Sequence, residues 1–248
     1  MLHFASEHDI IAFSTERGFV DKDQPYDGFN ITYYTDDDPE HIAQCRYDLR
    51  QMLEVADDHL ILPRQVHDTQ IAEVTAQILG DKFEGIDALI TTLPRTCIGV
   101  STADCVPILI YDTHTRAIAA AHAGWRGTVQ RIGRKTIQAM ADSYASSPQD
   151  MKVVIGPSIG PDAFEVGDEV YDAFREADFD MSRIAFKRDG KWHIDLWQAN
   201  AIDMELAGVP HDAIQIAGVC TYQEYDRFFS ARRLGIKSGR IYTGIMIK

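Results

Sequence analysis

The chain is poor in everything that would mark an exported, membrane-bound or nucleic-acid-binding protein. No apolar run approaches the roughly 18 residues that a membrane helix requires, and the opening MLHFASEHDI has no basic stretch before an apolar one. Membrane and export readings are thereby set aside. Cysteine is scarce: Cys45, Cys97, Cys105 and Cys220 are the whole complement, with no C-x-x-C pair, which excludes a disulfide scaffold and a zinc ribbon. The thiols read as free and the compartment as reducing, hence cytoplasmic, and the triplet Asn30-Ile31-Thr32 reads as an accidental glycosylation signal. Positive charge is also short. Lys and Arg number 24 against 38 Asp and Glu, a net charge of −14, which repels polyanions and argues against nucleic acid and anionic lipid as partners. Internal repeats, linkers rich in Pro, Gly or Ser, a Walker loop, a dinucleotide fingerprint and H-x-H pairs are all missing. A small-molecule substrate is the default that remains.

What is present is an ordinary globular mix: 248 residues, 45% hydrophobic and 25% charged, enough for one well-cored domain spanning 1–248. Short β-branched runs at 10–13, 59–66, 71–75, 88–90, 106–111, 117–121, 153–155 and 214–219 predict about eight strands. Helical spacing appears at 39–56, 126–145, 168–177 and 196–207, the last stopping at Gly208-Val209-Pro210. Strands grouped between 59 and 122, with helices clustered afterwards, predict an α+β or mixed α/β class with a mixed sheet.

The chemistry concentrates between Ser101 and Arg126. If 106–111 and 117–121 form a hairpin with 112–115 as its loop, Tyr111 faces Arg116 and Cys105 stands directly across from His122 on one face. Opposed Cβ atoms lie roughly 4.5–5.5 Å apart, close enough for a thiolate and an imidazole to share one ion. His67, closing the run before Asp68-Thr69, is the third ligand candidate. A Cys/His/His set leaves a fourth tetrahedral position open, the pattern of a catalytic rather than a structural zinc. The bland readings are core packing for Cys105 and backbone-bonded imidazoles for His122 and His67. Asp104, Asp87 and Glu165 are candidate proton carriers or partners of the ligands, with capping and turn formation as the plainer alternative. Gly124 to Gly127 leads into a helix and reads either as an anion-holding turn or as a tight turn alone. Residues 227–248 carry six basic side chains and no acid, an inversion within an acidic chain that either solvates a surface or draws a phosphate-bearing substrate.

These residues also carry a resemblance. Arg64-Gln65-Val66-His67, Asp87-Ala88, Thr102 to Pro107, His122 to Gly127, Gly156-Pro157-Ser158-Ile159 with Phe164-Glu165-Val166, Asp195-Leu196, Cys220-Thr221 and Phe229 to Arg233 with Gly239-Arg240 are similar to the laccase-domain family. Its members are also called polyphenol oxidases, bacterial purine nucleoside phosphorylases and peptidoglycan editing factors. The N-terminal part departs, with Ser14-Thr15-Glu16-Arg17-Gly18 where the family reads threonine-arginine and then paired glycines. The resemblance implies a three-layer mixed α/β fold and a metal, zinc or alternatively copper, held by His67, Cys105 and His122, which are then also the catalytic set. It implies phosphorolysis of adenosine, inosine and methylthioadenosine, with purine nucleoside and phosphate as partners, and deamination of adenosine with Asp104 moving protons. Arg232, Arg233 and Arg240 become candidates for the phosphate. Two other readings stand beside it: a metal-independent Cys/His amide hydrolase acting on peptidoglycan precursors, and a weak copper-dependent polyphenol oxidase. A non-enzymatic binding module is the third. Nine histidines without an H-x-H pair argue against a multicopper oxidase.

Overall fold

The computed structural model describes residues 1–4, 9–18 and 20–248. Two sheets lie face to face. The first has five strands in the order β1 (Leu2–His3), β2 (Ile10–Ser14), β14 (Ile241–Ile247), β6 (Cys97–Thr102) and β3 (Leu60–Ile61). The second has six, in the order β13 (Ile214–Ile216), β9 (Met151–Ile155), β7 (Val106–Asp112), β8 (Ile118–Ala123), β5 (Ala88–Thr91) and β4 (Ile71–Glu73). A small third sheet joins β10 (Glu165–Val166), β12 (Lys191–Ile194) and β11 (Ala185–Arg188). Both large sheets mix parallel and antiparallel pairs, since β3 runs parallel to β6 and β4 parallel to β5.

The alternation of side chains along each strand explains the stacking. On β7, Leu109 and Tyr111 point into a core shared with Ile10, Ala12, Ile98, Val100 and Ile245 of the five-stranded sheet. Their neighbours Ile108 and Ile110 point the other way, into the core under α3 (Ile132–Tyr144) and α6 (Leu196–Leu206). The outer face of the five-stranded sheet is covered by α1 (Pro39–Leu53) through Cys45, Leu49 and Leu53. The expected mixed α/β class with mixed sheets is present, but where three layers were expected the chain builds four, helix, sheet, sheet and helix. Strands buried on both faces, such as β6, β7 and β8, require cover on both sides, and each sheet is the other's cover. The remaining helices, α2 (Trp125–Val129), α4 (Asp168–Glu176), α5 (Met181–Ile184) and α7 (Ala231–Leu234), are short. No helix among the described residues is long and apolar enough to cross a membrane.

Helix α1 forms for readable reasons. Asp38 caps it by accepting from the Glu40 N–H, Pro39 opens its first turn, and Ile42, Cys45, Leu49 and Leu53 recur on one face. The expected continuous helix over 126–145 is instead broken into α2 and α3. Arg131 sits between them in the left-handed region (φ 63°), its guanidinium drawn to Asp203 on α6 at 3.0 Å and to the Ala177 carbonyl at 2.7 Å. The expected strand over 59–66 shrinks to β3, because Pro63 has no N–H to extend the ladder. Strands β6 and β14, absent from the sequence reading, form the middle of the first sheet. Gly99 and Gly244 face each other across them, and a Cβ on either would overlap the buried Tyr242 ring.

Candidate metal centre

The two sheets leave an end at which β6, β5 and the β7–β8 hairpin all stop, and the chemistry-bearing side chains gather there. His122 comes from β8, on the face that looks towards the five-stranded sheet, and is buried. Cys105 immediately precedes β7 and is half-buried, while His67 is exposed on the loop that follows β3. One ligand atom from each of the three lies within 4.8 Å of the others. Cys105 Sγ stands 3.8 Å from His67 Nε2, and the two imidazole rings meet edge to face with centroids 4.7 Å apart.

The hairpin register differs from the expected one. Val106 pairs with Ala123 and Pro107 with His122, so Cys105 is not directly opposite His122. The loop begins one residue later than expected: Asp112 donates its N–H to the Ala117 carbonyl, and its carboxylate collects the N–H groups of His114 (2.7 Å) and Thr115 (3.0 Å). The resulting displacement is two residues along β8. Because side chains alternate with period two, the displacement keeps Cys105 and His122 on one face as diagonal neighbours.

Asp87, at the entrance to β5, organises this end of the molecule. Its carboxylate accepts three backbone N–H groups in a row, from Val66 (3.1 Å), His67 (3.0 Å) and Asp68 (3.0 Å), and the His122 Nδ1 at 2.8 Å. The His122 N–H also donates to the Asp87 carbonyl. An imidazole held through Nδ1 presents Nε2 to the cluster, the arrangement in which a carboxylate orients a metal-binding histidine. His67 takes a left-handed backbone (φ 64°), a conformation that costs a non-glycine residue energy and that this row of bonds enforces. Burial alone would raise the Asp87 carboxyl, yet His122 and the N–H groups pull it below its ordinary value. The same competition acts on the ligands. Burial opposes ionisation of Cys105, but the two imidazoles, His122 foremost, bring its thiol down to about 6. Burial likewise opposes a charged His122, but the Cys105 thiolate and Asp87 push it up to about 9.

Gly124 closes the back of the cluster. A Cβ there would lie 3.0 Å from Cys105 Sγ and 3.1 Å from His67 Cδ2, so glycine lets the chain pass this close. The helix that follows, α2, has only five residues and no side-chain cap, so the tight-turn reading of Gly124 to Gly127 is the one this geometry favours.

The other candidates separate. Asp104, itself left-handed (φ 85°), uses both oxygens as acceptors, from the Thr221 hydroxyl and the Arg232 N–H, each at 2.7 Å. That ties the Cys105 loop to α7 and holds the carboxylate as an acceptor. Glu165 is exposed and faces Lys191 at 3.7 Å. The Arg232 guanidinium serves the Glu165 carbonyl, and Arg233 lies over the rings of Tyr222 and Tyr225. Arg240 is half-buried, burial lowers its pKa, and its guanidinium donates to the backbone carbonyls of Ser238, Gly239 and Ile236. Arg17, in the N-terminal segment that departs from the family pattern, gives its guanidinium to backbone carbonyls of Lys22, Gln24, Asp27 and Tyr225. Its work is to fold the 21–28 loop.

Sequence reasoning assigned no role to Gln65 or Tyr34. The Gln65 carboxamide bonds both backbone groups of Ser101, donating at 2.9 Å and accepting at 2.8 Å, and the Tyr34 hydroxyl sits 2.5 Å from Ser101 Oγ. Gln65 was visible only as a member of the Arg64 to His67 motif. Tyr34 also lines a groove of about 920 Å³ with Tyr33, Arg46, Arg64 and Phe83, beside the cluster but including none of its three residues.

The chain is similar to known proteins over nearly its whole length. A family model described as multi-copper polyphenol oxidoreductase laccase matches residues 10–248. A purine nucleoside phosphorylase of Bacteroides thetaiotaomicron is 43% identical over 252 residues, covering 98% of this chain and 93% of the relative. Adenosine deaminase RL5, from an unknown prokaryotic organism, is 42% identical over 257 residues, covering 100% and 98%. The crystal structure of YlmD from Geobacillus stearothermophilus superposes with a TM-score of 0.90 at 28% identity, covering 97% of this chain and 93% of that one.

Proposed function

Because the chain belongs to the multi-copper polyphenol oxidoreductase laccase family, we propose that it is a metal-dependent enzyme of purine nucleosides, working as one domain over 1–248. Its reactions are phosphorolysis of adenosine, inosine and methylthioadenosine, and deamination of adenosine. The observation that carries this reading is the convergence of His67, Cys105 and His122 at one open end of the sheets, set beside relatives named for those two activities. One thiolate and two imidazoles suit zinc in preference to the several coppers of a laccase, and they form the single cluster of this kind among the described residues. Zinc held there supplies a Lewis acid that activates water or polarises a substrate oxygen.

The chain's own residues do the rest. Asp87 fixes the His122 ring and the His67 backbone together, so the ligands are set before substrate arrives. Asp104 holds the Cys105 loop against Thr221 and α7. Arg232, Arg233 and Arg240 are the arginines that would orient a phosphate against the sugar, Arg240 from a guanidinium that also donates to the Ser238, Gly239 and Ile236 carbonyls. The neighbouring groove, with the rings of Tyr33 and Tyr34, offers stacking surface to a base. Four free thiols suit a reducing setting such as the cytoplasm.

The test is a product analysis by mass spectrometry on protein purified without added metal, with its zinc content measured. Inosine with phosphate is expected to give hypoxanthine and ribose 1-phosphate, and a chelator to abolish the reaction. One observation favours a second reading: Cys105, His122 and Asp87 form a thiol, imidazole and carboxylate relay. Turnover that survives chelation but stops on thiol alkylation would assign the site to a Cys/His hydrolase instead.

A further inference from the structure

The three cluster residues come from separate pieces of chain, and each pair needs its own means of being held in register. His67 and His122 are tied by Asp87, which belongs to the six-stranded sheet. Cys105 lies between the two sheets, three residues after β6 of the five-stranded one and immediately before β7 of the six-stranded one, so Asp87 reaches it only through β5, β8 and β7, while β6 offers the His67 loop a more direct link. The parallel pairing of β3 with β6, Leu60 with Cys97 and Ile61 with Ile98, has already stopped at Pro63. The Gln65 side chain takes up where the backbone leaves off. Its carboxamide engages the N–H and the C=O of Ser101 as a neighbouring strand would, four residues before Cys105 and two before His67.

We propose that Gln65 is a positioning residue for the metal centre: a one-residue substitute for strand pairing that fixes His67 relative to Cys105, as Asp87 fixes it relative to His122. The inference rests on the metal-centre reading above. Tyr34 supports the clamp from outside, its hydroxyl shared among Ser101 Oγ, the Pro63 carbonyl at 3.1 Å and Gln65 Oε1 at 3.3 Å. The exposed His67 loop is thus gripped from both sheets, and its left-handed backbone is the shape those two grips impose. Removing the Gln65 grip loosens His67 against Cys105 on the β6 side, while the Asp87 bonds to the His67 backbone and to His122 remain.

The experiment uses Co²⁺ alone as the probe, added to metal-depleted full-length protein. Wild type is expected to show a thiolate-to-cobalt absorption together with the intense visible bands of tetrahedral coordination. Gln65→Leu is expected to keep the thiolate absorption, lose intensity in the visible bands and bind cobalt about 10- to 100-fold more weakly, the range typical of lost outer partners. Gln65→Glu keeps the acceptor half of the clamp and is expected to fall between the two, which covers the case in which the leucine variant does not fold. Wild-type affinity and spectrum in both Gln65 variants would overturn the clamp alone. A Cys105→Ser spectrum identical to wild type would overturn the metal centre itself.

Discussion

The two ends of the β7–β8 hairpin are built by the same device and serve different purposes. At the closed end, the buried Asp112 gathers the N–H groups of His114 and Thr115 and shapes a four-residue loop. At the open end, the buried Asp87 gathers three N–H groups from 66–68 and also holds an imidazole. Both carboxylates are drawn below their ordinary pKa by the groups they accept from, against the opposing effect of burial. A carboxylate that collects backbone N–H groups is therefore only a loop-former. What converts the open end into a site is the cargo of its loops: His67 beside Asp87, and Cys105 beside Asp104.

The comparison is broken most severely by removing the cargo. Cys105→Ala or His122→Ala is expected to abolish phosphate-dependent inosine cleavage and stoichiometric zinc binding while circular dichroism stays native. Exchange of the two aspartates is the sharper contrast. Asp87→Asn should cost about 3 kcal/mol in urea unfolding, since it leaves a buried imidazole poorly paired, and should weaken zinc about 10- to 100-fold. Asp112→Asn should cost only about 1 kcal/mol and leave zinc affinity unchanged. The Asp112 effect also has a sign in pH. A carboxyl held low in the folded state stabilises above the unfolded value of about 3.9, so the gap between wild type and Asp112→Asn should be full at pH 7 and close as the pH falls below about 4.

Two finer perturbations act only on the open end. Gly124→Ala puts a methyl group 3.0 Å from Cys105 Sγ and 3.1 Å from His67 Cδ2, and should read in a zinc titration as a strain of about 1–3 kcal/mol. In metal-depleted protein, alkylation of Cys105 should reach half its maximal rate near pH 6, the value set by His122 and His67. An ordinary thiol does so near about 8.5. A profile of the ordinary kind would show that the imidazoles do not support the thiolate.

Part of this was legible from residue order. The β-branched run 106–111, the spacing on α1 and the mixed class followed from periodicity, and the Cys105/His122 association survived a two-residue error because side chains alternate with period two. A one-residue error would have placed them on opposite faces. What was illegible depended on partners distant in sequence. The break at Arg131 is made by Asp203, 72 residues on. Strand β14 carries a glycine in its interior and earns its central place only because Gly99 accepts the Tyr242 ring beside Gly244. Strand β3 ends early because Pro63 stops the ladder and Gln65 continues it by a side chain. Of the three arginines considered for phosphate, residue order favoured none, and in the fold Arg240 differs from the exposed Arg232 and Arg233 in being half-buried.

The order of residues determined part of the local matters: most of the helices and the β7–β8 hairpin, and that a thiol and an imidazole would share one hairpin face. These depend on periodicity and on bonds between near neighbours, which a linear text contains. Only the folded chain decided that two sheets would stack, that their common end would stay open, and that Asp87 and Ser101 would grip the His67 loop from opposite sides. Such contacts join residues separated by 20 to 36 positions, and their formation depends on burial and packing that come into being when the whole chain has closed around them.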